Sequence, residues 1–507
     1  MNLDIVIIAI YLVAMLAFGF WGKTRTRDSK DFLVAGRRLG PVFYTGTMAA
    51  VVLGGASTVG GVGLGYRYGI SGMWLVVAIA VGLLLLSLLF APAIQRLKVY
   101  TVAQMLQLRY GINGTQASGI VMALYTLMLV VTSTIAYSTI FHVLFGTDRW
   151  ASIALGAAIV IMYSSIGGMW SITLTDMVQF LIKTIGVFFL LLPFAWTRAG
   201  GYDGILERLG DTVGASQFDL FAIGGNTIVT YFVIYTFGML IGQDIWQRVF
   251  TARSPRVAKW GGTAAGVYCV LYAVAGALIG TAARAILPGG SAGDDVYAAV
   301  AEYALPIGLS GIVLAAAVAA MMSTASGALI ACATVARADV APLVMRLLGK
   351  KETGLGEGNP EHDVRNNRIF VVILGVAATV IAMLLNDVVA ALTVAYDILV
   401  GGLLVSILGG LVWRRANGTG AIASMIVGTV VTLGSMVVYA AIAGDALTGV
   451  LANEPIYWGL ASSAVVYVVV SLATPPTPPG VLQGWEDRKA GAFGEATGVV
   501  PVVTARH

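Results

Sequence analysis

The chain has few charged residues, few histidines and few cysteines. Only 11% of its 507 residues are Asp, Glu, Lys or Arg, against about 25% in an average soluble domain. A soluble protein of this length could not cover its surface with so few charges. This excludes a soluble enzyme, a nucleic-acid-binding domain and a disordered scaffold. The two cysteines, Cys269 and Cys332, lie in apolar stretches and provide neither a disulfide framework nor a cysteine-based metal site.

Motifs for catalysis are also missing from the sequence. It contains no GxxxxGK phosphate loop and no HExxH pair among its three scattered histidines. The net charge of +5 comes from basic residues between apolar runs and not from one basic face. We therefore expect no enzymatic activity, no cofactor and no nucleic-acid partner. Any transport must be driven by an ion gradient or by the gradient of the solute.

Long apolar runs dominate the chain, with 58% hydrophobic residues and a mean hydropathy of +0.88. A helix needs about 20 apolar residues to cross a bilayer. The sequence therefore predicts an all-α polytopic membrane protein with about thirteen transmembrane helices. The candidate spans are 3–21, 41–65, 73–95, 117–145, 151–168, 171–197, 226–246, 261–287, 309–337, 369–386, 392–413, 419–443 and 456–473.

The basic residues between these spans predict the orientation. If the N-terminus lies outside, nearly all of the 30 Lys and Arg residues fall on the inner side. Those on the outer side are Arg67, Arg149, Arg198, Arg208 and Arg284, and Lys183 falls within a span. Because cytoplasmic loops are enriched in Lys and Arg, we predict an outer N-terminus and an inner C-terminus.

The second predicted span is rich in glycine, with six glycines between Gly54 and Gly65. Such a segment makes a poor continuous helix. One interpretation is close helix packing through small residues. The other is a broken helix whose freed carbonyls face a site near the middle of the membrane.

Hydroxyl side chains in the ninth span, Ser323 and Thr324, give a second signal. In membrane helices such hydroxyls commonly bond the carbonyl of the preceding turn. Hydroxyl and carbonyl oxygens are also suitable ligands for a hard cation such as sodium.

Charged residues within spans give a third signal, since each costs about 2.5–3.5 kcal/mol at a helix centre. Asp176 has two interpretations, a helix cap or a functional carboxylate, and Lys183 has no assignable partner. Asp244 can pair with Arg248 four residues later, and Asp397 can face a cavity or the outer interface.

Taken in order, these segments resemble the sodium:solute symporter family over nearly the whole chain. The resemblance is carried by Asp31-Phe32-Leu33-Val34-Ala35-Gly36-Arg37, the glycine-rich second span, Gly167-Gly168-Met169-Trp170 to Asp176, Gln247-Arg248, Met322-Ser323-Thr324-Ala325-Ser326 and Leu411-Val412-Trp413-Arg414-Arg415-Ala416-Asn417.

The resemblance implies a LeuT-like core of two inverted five-helix repeats. Residues 1–40 would hold the first helix and a basic inner loop, 41–197 the first repeat (helices 2–6), and 198–225 an outer loop. The second repeat (helices 7–11) would be 226–413, followed by helices 12 and 13 in 414–473 and a cytoplasmic tail in 474–507.

The resemblance also implies a site for sodium as the coupling ion. Its ligands would be the carbonyls of Ala56 and Val59 at the break of the second span, with the Ala320 carbonyl and the Ser323 and Thr324 hydroxyls. Asp176 matches an aspartate near the sodium exit route. Thr58 departs from the pattern of the sodium/proline relatives, which carry an aspartate there.

The solute site would lie beside the ion. Its candidate residues are Ser57, Thr58, Tyr137, Gln243, Asp244, Trp246 and Tyr396. We expect a sodium-coupled symporter of a small organic solute, with a carboxylate or amino acid favoured and a quaternary amine such as choline as the alternative. A membrane sensor and a uniporter are further alternatives. The expected partners are sodium, the solute and the lipid bilayer of a bacterial plasma membrane.

Overall fold

A computed structural model describes residues 3–111, 118–287, 295–349, 360–385, 388–445, 448–449 and 452–492. Within these ranges the chain is helical, with one isolated β-bridge between Leu39 and Ala252. Residues 493–507 of the predicted tail lie outside the described residues.

The first half of the chain forms twelve α-helices. They are α1 (Leu3–Lys23), α2 (Ser29–Val34), α3 (Pro41–Val52), α4 (Gly61–Tyr68), α5 (Trp74–Leu85), α6 (Ala91–Arg96), α7 (Val102–Tyr110), α8 (Ser118–Phe145), α9 (Arg149–Thr184), α10 (Leu192–Ala199), α11 (Gly201–Leu209) and α12 (Asp211–Ser216).

The second half continues in the same way. It contains α13 (Gly225–Tyr231), α14 (Phe237–Ile241), α15 (Gln243–Thr251), α16 (Pro255–Ile286), α17 (Val296–Ala304), α18 (Leu309–Val335), α19 (Ala341–Leu347), α20 (Pro360–Leu384), α21 (Val388–Val412), α22 (Gly418–Ala443), α23 (Glu454–Ala473) and α24 (Pro479–Ala490). Short π-helical turns join several of these, including Ala56–Gly60, Ile185–Leu191 and Phe232–Thr236.

Ten helical stretches among the described residues are long and apolar enough to cross a membrane, or eleven if the bent stretch 225–251 is counted. Two of them are far longer than one crossing: Ala56–Arg96 has 41 residues and Arg149–Ala199 has 51. At 1.5 Å per residue, a crossing of about 30 Å needs only about 20 residues. Arg149–Ala199 therefore contains the two predicted spans 151–168 and 171–197, and Ala56–Arg96 contains the span 73–95 together with the last part of 41–65.

The turn within α9 lies at Gly168, where φ is 56° and ψ is −139°. Before it, Arg368 donates to the Ile166 carbonyl at 2.8 Å, so this part of α9 lies along α20. After it, Gln179 donates to the Tyr11 hydroxyl at 3.1 Å, on α1. A side chain at Gly168 would collide with Phe32, so only glycine suits both the dihedral angles and the space.

The most buried helix is α18, in which every residue from Val313 to Val335 is buried. Its mostly small side chains allow α8 and the second half of α9 to approach closely. Large apolar side chains on outer helices are exposed instead, among them Ile10, Val437 and Ile442. Helices with apolar outer surfaces around a buried central helix are what a lipid environment requires, and the chain is an integral, multi-pass membrane protein.

Candidate functional site: two broken helices beside α18

The second predicted span is broken, but at a different residue than expected. Helix α3 ends at Val52, and Leu53 has non-helical angles of φ −96° and ψ 76°. Ala56–Gly60 form a π-helical turn that continues into α4. The prediction that Ala56 and Val59 lie at the break is therefore corrected: the break precedes Ala56, because the glycines that follow Leu53 still accept helical geometry.

Ending α3 at Val52 leaves its last four carbonyls without helical amide partners. The buried Lys183 ammonium on α9 donates to the Ala49 and Ala50 carbonyls at 2.9 and 3.1 Å. The Thr324 hydroxyl on α18 donates to the Val51 carbonyl at 2.7 Å. Lys183, which had no partner in the sequence, thus holds the broken end of α3.

The close fit of Thr324 against the break explains Gly54. A Cβ atom at residue 54 would lie 2.5 Å from the Thr324 hydroxyl oxygen and 2.9 Å from its Cβ. Glycine at this position therefore lets α18 approach the backbone of the break. Here both interpretations of the glycine-rich span apply, since small residues serve close packing at a broken helix.

Asp176 is the centre of a buried polar cluster and not a helix cap. Its carboxylate accepts hydrogen bonds from Thr47 and from Ser323, the latter at 3.0 Å. It also forms an ion pair with Arg248 at 3.0 Å, with both side chains fully buried. The interpretation that Arg248 pairs with Asp244 is corrected: from α15, which packs against α3 and α18, Arg248 reaches Asp176 on α9 and forms its ion pair there.

A second break separates α14 from α15. At Gly242 ψ is 129°, and the two helical parts of the stretch 225–251 differ in direction by 43°. Asp244 lies in the first turn of α15, where a carboxylate is stabilised by the helix dipole. Its Oδ1 accepts a hydrogen bond from Tyr125 at 3.0 Å.

The two breaks face a common cavity of about 30 Å³. A water molecule needs about 10–15 Å³ of such space, so the cavity is smaller than an organic solute. It is lined by Val51, Val52, Gly54, Gly55, Ala56, Ser57, Ile79, Leu129, Thr132, Ser133, Met239, Asp244, Thr324, Leu392 and Tyr396. Ala56 and Val59 also line a second cavity of about 10 Å³.

Three predicted solute residues, Ser57, Asp244 and Tyr396, line the main cavity. Tyr396 makes edge contacts with two other tyrosines, Tyr125 and Tyr235, at ring-centroid distances of 5.5 and 5.4 Å. No sequence motif marks Tyr125, Tyr235, Thr132 or Ser133, so the sequence does not predict them. A carboxylate close to aromatic rings is an arrangement that attracts a cationic group.

The other four solute candidates do not line the main cavity, and their polar groups bond elsewhere. Thr58 bonds the Tyr272 hydroxyl at 3.0 Å, and Tyr137 bonds Thr134 at 3.1 Å. The Trp246 indole donates to the Leu240 carbonyl at 2.8 Å.

Gln243 is the fourth of these candidates. Its amide accepts from the Val102 backbone and donates to the Tyr100 carbonyl, both at 2.9 Å. Helix packing turns these four side chains toward neighbouring helices, and their role in solute binding stays a prediction.

Asp397, adjacent to Tyr396, is buried, and neither carboxylate oxygen has a hydrogen-bond partner among the described residues. It is not among the residues that line the main cavity. The contacts of α21 with the cavity come from Leu392 and Tyr396.

Two broken helices that meet at mid-length beside a buried small-residue helix define the class: a secondary transporter with the LeuT fold. The structure is similar to that of a Na⁺-coupled sialic acid symporter, with a TM-score of 0.79 at 19% identity over 94% of this chain and 99% of that one. Mhp1, a nucleobase-cation-symport-1 family transporter, gives a TM-score of 0.55 at 16% identity over 90% and 98%. These similarities confirm the predicted fold.

The sequence gives the family. Residues 32–428 match the sodium:solute symporter family, and the chain belongs to this family of transporters. It is 26% identical to High-affinity choline transporter 1 of Caenorhabditis elegans over 85% of this chain and 77% of the transporter. It is 25% identical to the osmoregulated proline transporter OpuE of Bacillus subtilis (strain 168), over 85% of this chain and 89% of OpuE.

Proposed function

We propose that this protein couples the inward movement of sodium to symport of a small zwitterionic solute of the amino-acid type, by alternating access. The observation that carries the proposal is the pair of broken helices at one cavity, which present opposite charges. The α4 side presents backbone amides, and the α15 side presents the Asp244 carboxylate.

Sodium would bind between the Ala56 and Val59 carbonyls, the Ala320 carbonyl and the hydroxyls of Ser323 and Thr324. Each hydroxyl donates its single proton, to Asp176 and to the Val51 carbonyl respectively. A hydroxyl oxygen that donates its proton retains lone pairs for a cation. Asp176, beside Ser323, would lie on the way out of the ion.

The solute's carboxylate would face the start of the helix after the first break. Its first helical bond runs from the Thr58 amide to the Gly54 carbonyl at 3.0 Å. The amides of Gly55, Ala56 and Ser57 therefore precede the first bond, and such free amides at a helix N-terminus bind anions. The solute's ammonium group would face Asp244.

A quaternary amine such as choline is the second candidate. Tyr396 lies between Tyr125 and Tyr235 and beside Asp244, and this arrangement suits a cation without a carboxylate. The names of the relatives agree with both candidates, since one transports choline and the other proline.

The test uses the full chain in proteoliposomes and a panel of labelled solutes: proline, a proline amide that lacks the carboxylate charge, a monocarboxylate and choline. Each is measured with an inward sodium gradient and with an equal potassium gradient. We expect saturable, sodium-dependent uptake of proline-like zwitterions. Equal uptake with potassium would contradict sodium coupling, and unsaturable flux would indicate a channel.

The predicted domain division also belongs to this proposal. The first helix of each proposed repeat (41–197 and 226–413) is the broken one, as an internal repeat would require.

Short connections and a basic inner surface support a bacterial plasma membrane. The predicted outer loop contains α11 and α12, and the described part of the predicted tail contains α24, where Trp485 is buried.

A further inference from the structure

Lys183 is a buried cation beside the proposed sodium site. Its side chain is fully buried, and its Nζ bonds the carbonyls of Ala49 and Ala50 at the end of α3. Backbone carbonyls that a break has freed are the ligands transporters offer to monovalent cations. The ammonium group therefore takes the place of a cation at this break.

The ammonium charge has no acidic partner within ion-pair distance in the described ranges. Asp176 lies seven residues earlier on α9, about 10 Å along the helix axis, and is paired with Arg248. Because Arg248 neutralises the charge of Asp176, the positive charge of Lys183 has no negative charge among the described residues to balance it. An unpaired buried charge is costly unless the group becomes neutral.

The neighbouring helices bring few titratable groups to Lys183. Asp176 acts on it from its own helix, and the Cys269 thiol faces it from α16. Tyr268, also on α16, bonds Thr184 beside it at 2.8 Å. The groups of α3 that contact Lys183 are the backbone carbonyls of Ala49 and Ala50. Of these groups, only Asp176 carries a negative charge, and Arg248 already neutralises it.

Lys183 and the proposed sodium ligand Thr324 bond neighbouring carbonyls at the end of α3. Ala49, Ala50 and Val51 are consecutive, and the Val51 carbonyl is held by Thr324, a proposed sodium ligand. A sodium ion at Thr324 would lie close to the ammonium group in a medium of low dielectric constant, where two like charges repel strongly. The two cations therefore cannot be present together without a large free-energy cost.

We propose that Lys183 is a proton-binding site coupled to sodium: sodium binding drives one proton from the Lys183 ammonium. The Nζ–H bond breaks, the electron pair stays on nitrogen, and the proton leaves the protein for the bulk water. Sodium and this proton compete, so acidic conditions weaken sodium binding and alkaline conditions strengthen it. This inference rests on the proposed sodium coupling.

The experiment measures proton release and sodium binding in the purified full-length chain. The protein in weakly buffered detergent solution is titrated with sodium chloride, and a pH indicator reports released protons; potassium chloride controls for ionic strength. Sodium affinity is measured in parallel by radioactive sodium binding over a range of pH. We expect about one proton per bound sodium, and an affinity that rises about tenfold per pH unit where Lys183 titrates.

Two variants and a matched control assign the effect to Lys183. Lys183→Met should bind sodium without proton release and with little pH dependence. Lys183→Arg keeps a permanent charge, so it should bind sodium weakly at every pH, and it tests the inference if the Met variant does not fold. Gln179→Met removes a buried polar group one turn earlier on α9 and should behave like the unmodified chain.

The failures are distinguishable. Sodium binding by the unmodified chain without proton release overturns the role of Lys183 and leaves the symport proposal intact. The same holds if Lys183→Met still releases the proton. Absence of sodium binding overturns the symport proposal together with this inference.

Discussion

The two helix breaks differ in the charge that they present. At the first break, between α3 and α4, freed carbonyls are bound by a lysine and a threonine hydroxyl. At the second, between α14 and α15, Asp244 starts a new helix and its carboxylate meets Tyr125. Both breaks interrupt apolar helices beside α18, yet one offers oxygen ligands and the other a fixed negative charge.

This difference shows how the breaks can have separate roles. Carbonyl and hydroxyl oxygens bind a monovalent ion weakly enough for release, whereas a carboxylate selects a solute that carries positive charge. The second half of α9 joins the two, because Lys183 contacts the first break and Asp176 contacts Arg248 on the helix after the second. Four variants test this division, beginning with the largest expected effect.

The connection between the breaks is tested by Arg248→Met. It leaves the Asp176 carboxylate buried without its ion-pair partner, which we expect to cost about 3–5 kcal/mol of stability. Thermal unfolding in detergent, followed by tryptophan fluorescence, measures the loss. The double variant Arg248→Met/Asp176→Asn should recover part of it, and an unchanged Tm for the single variant would contradict a structural ion pair.

The ion role of the first break is tested by Ser323→Ala combined with Thr324→Ala. Removing two of the proposed ligands should lower the apparent sodium affinity about 100-fold, so sodium would no longer stimulate uptake in proteoliposomes. Ser326→Ala is the control, since its hydroxyl bonds the Ser323 backbone carbonyl at 3.0 Å. Unchanged sodium dependence in the double variant would disprove the assigned site.

The solute role of the second break is tested by Asp244→Asn. Loss of the charge should weaken the affinity for a zwitterionic or cationic solute about 10- to 100-fold, while sodium binding stays near its original value. Competition uptake measures the solute affinity. Asp397→Asn removes another buried carboxyl group beside Tyr396 and should have the smaller effect. Equal effects of the two variants would argue against a direct contact with Asp244.

The smallest effect is expected for Thr58→Val, within the helix after the first break. Loss of its hydrogen bond to Tyr272 should cost about 1 kcal/mol of stability. The order of preference among solutes should not change, because Thr58 is not among the residues that line the cavity. A changed order of preference in the labelled-solute panel would show that Thr58 takes part in solute binding.

Prediction from sequence succeeded where the signal is local. The length and hydropathy of each run identified the spans, and the crowded glycines between Gly54 and Gly65 indicated an interrupted helix. The same glycines did not identify the break at Leu53, because π-helical and α-helical turns both accept them. Ser57, Asp244 and Tyr396 line the cavity, whereas Trp246, buried one turn after Gly242, does not; the solute role of all four stays a prediction.

The sequence by itself determined that this chain must lie in a membrane, which apolar stretches form its helices, and which family it resembles, because apolar length and residue order are properties of the chain alone. Only the tertiary structure decided that Lys183 holds the carbonyls of Ala49 and Ala50, that Arg248 pairs with Asp176, and that Asp244 meets Tyr125. These partners lie more than a hundred residues apart, or on helices whose rotation is set by packing. Which side chains meet a freed carbonyl or a buried charge therefore depends on how the whole bundle packs.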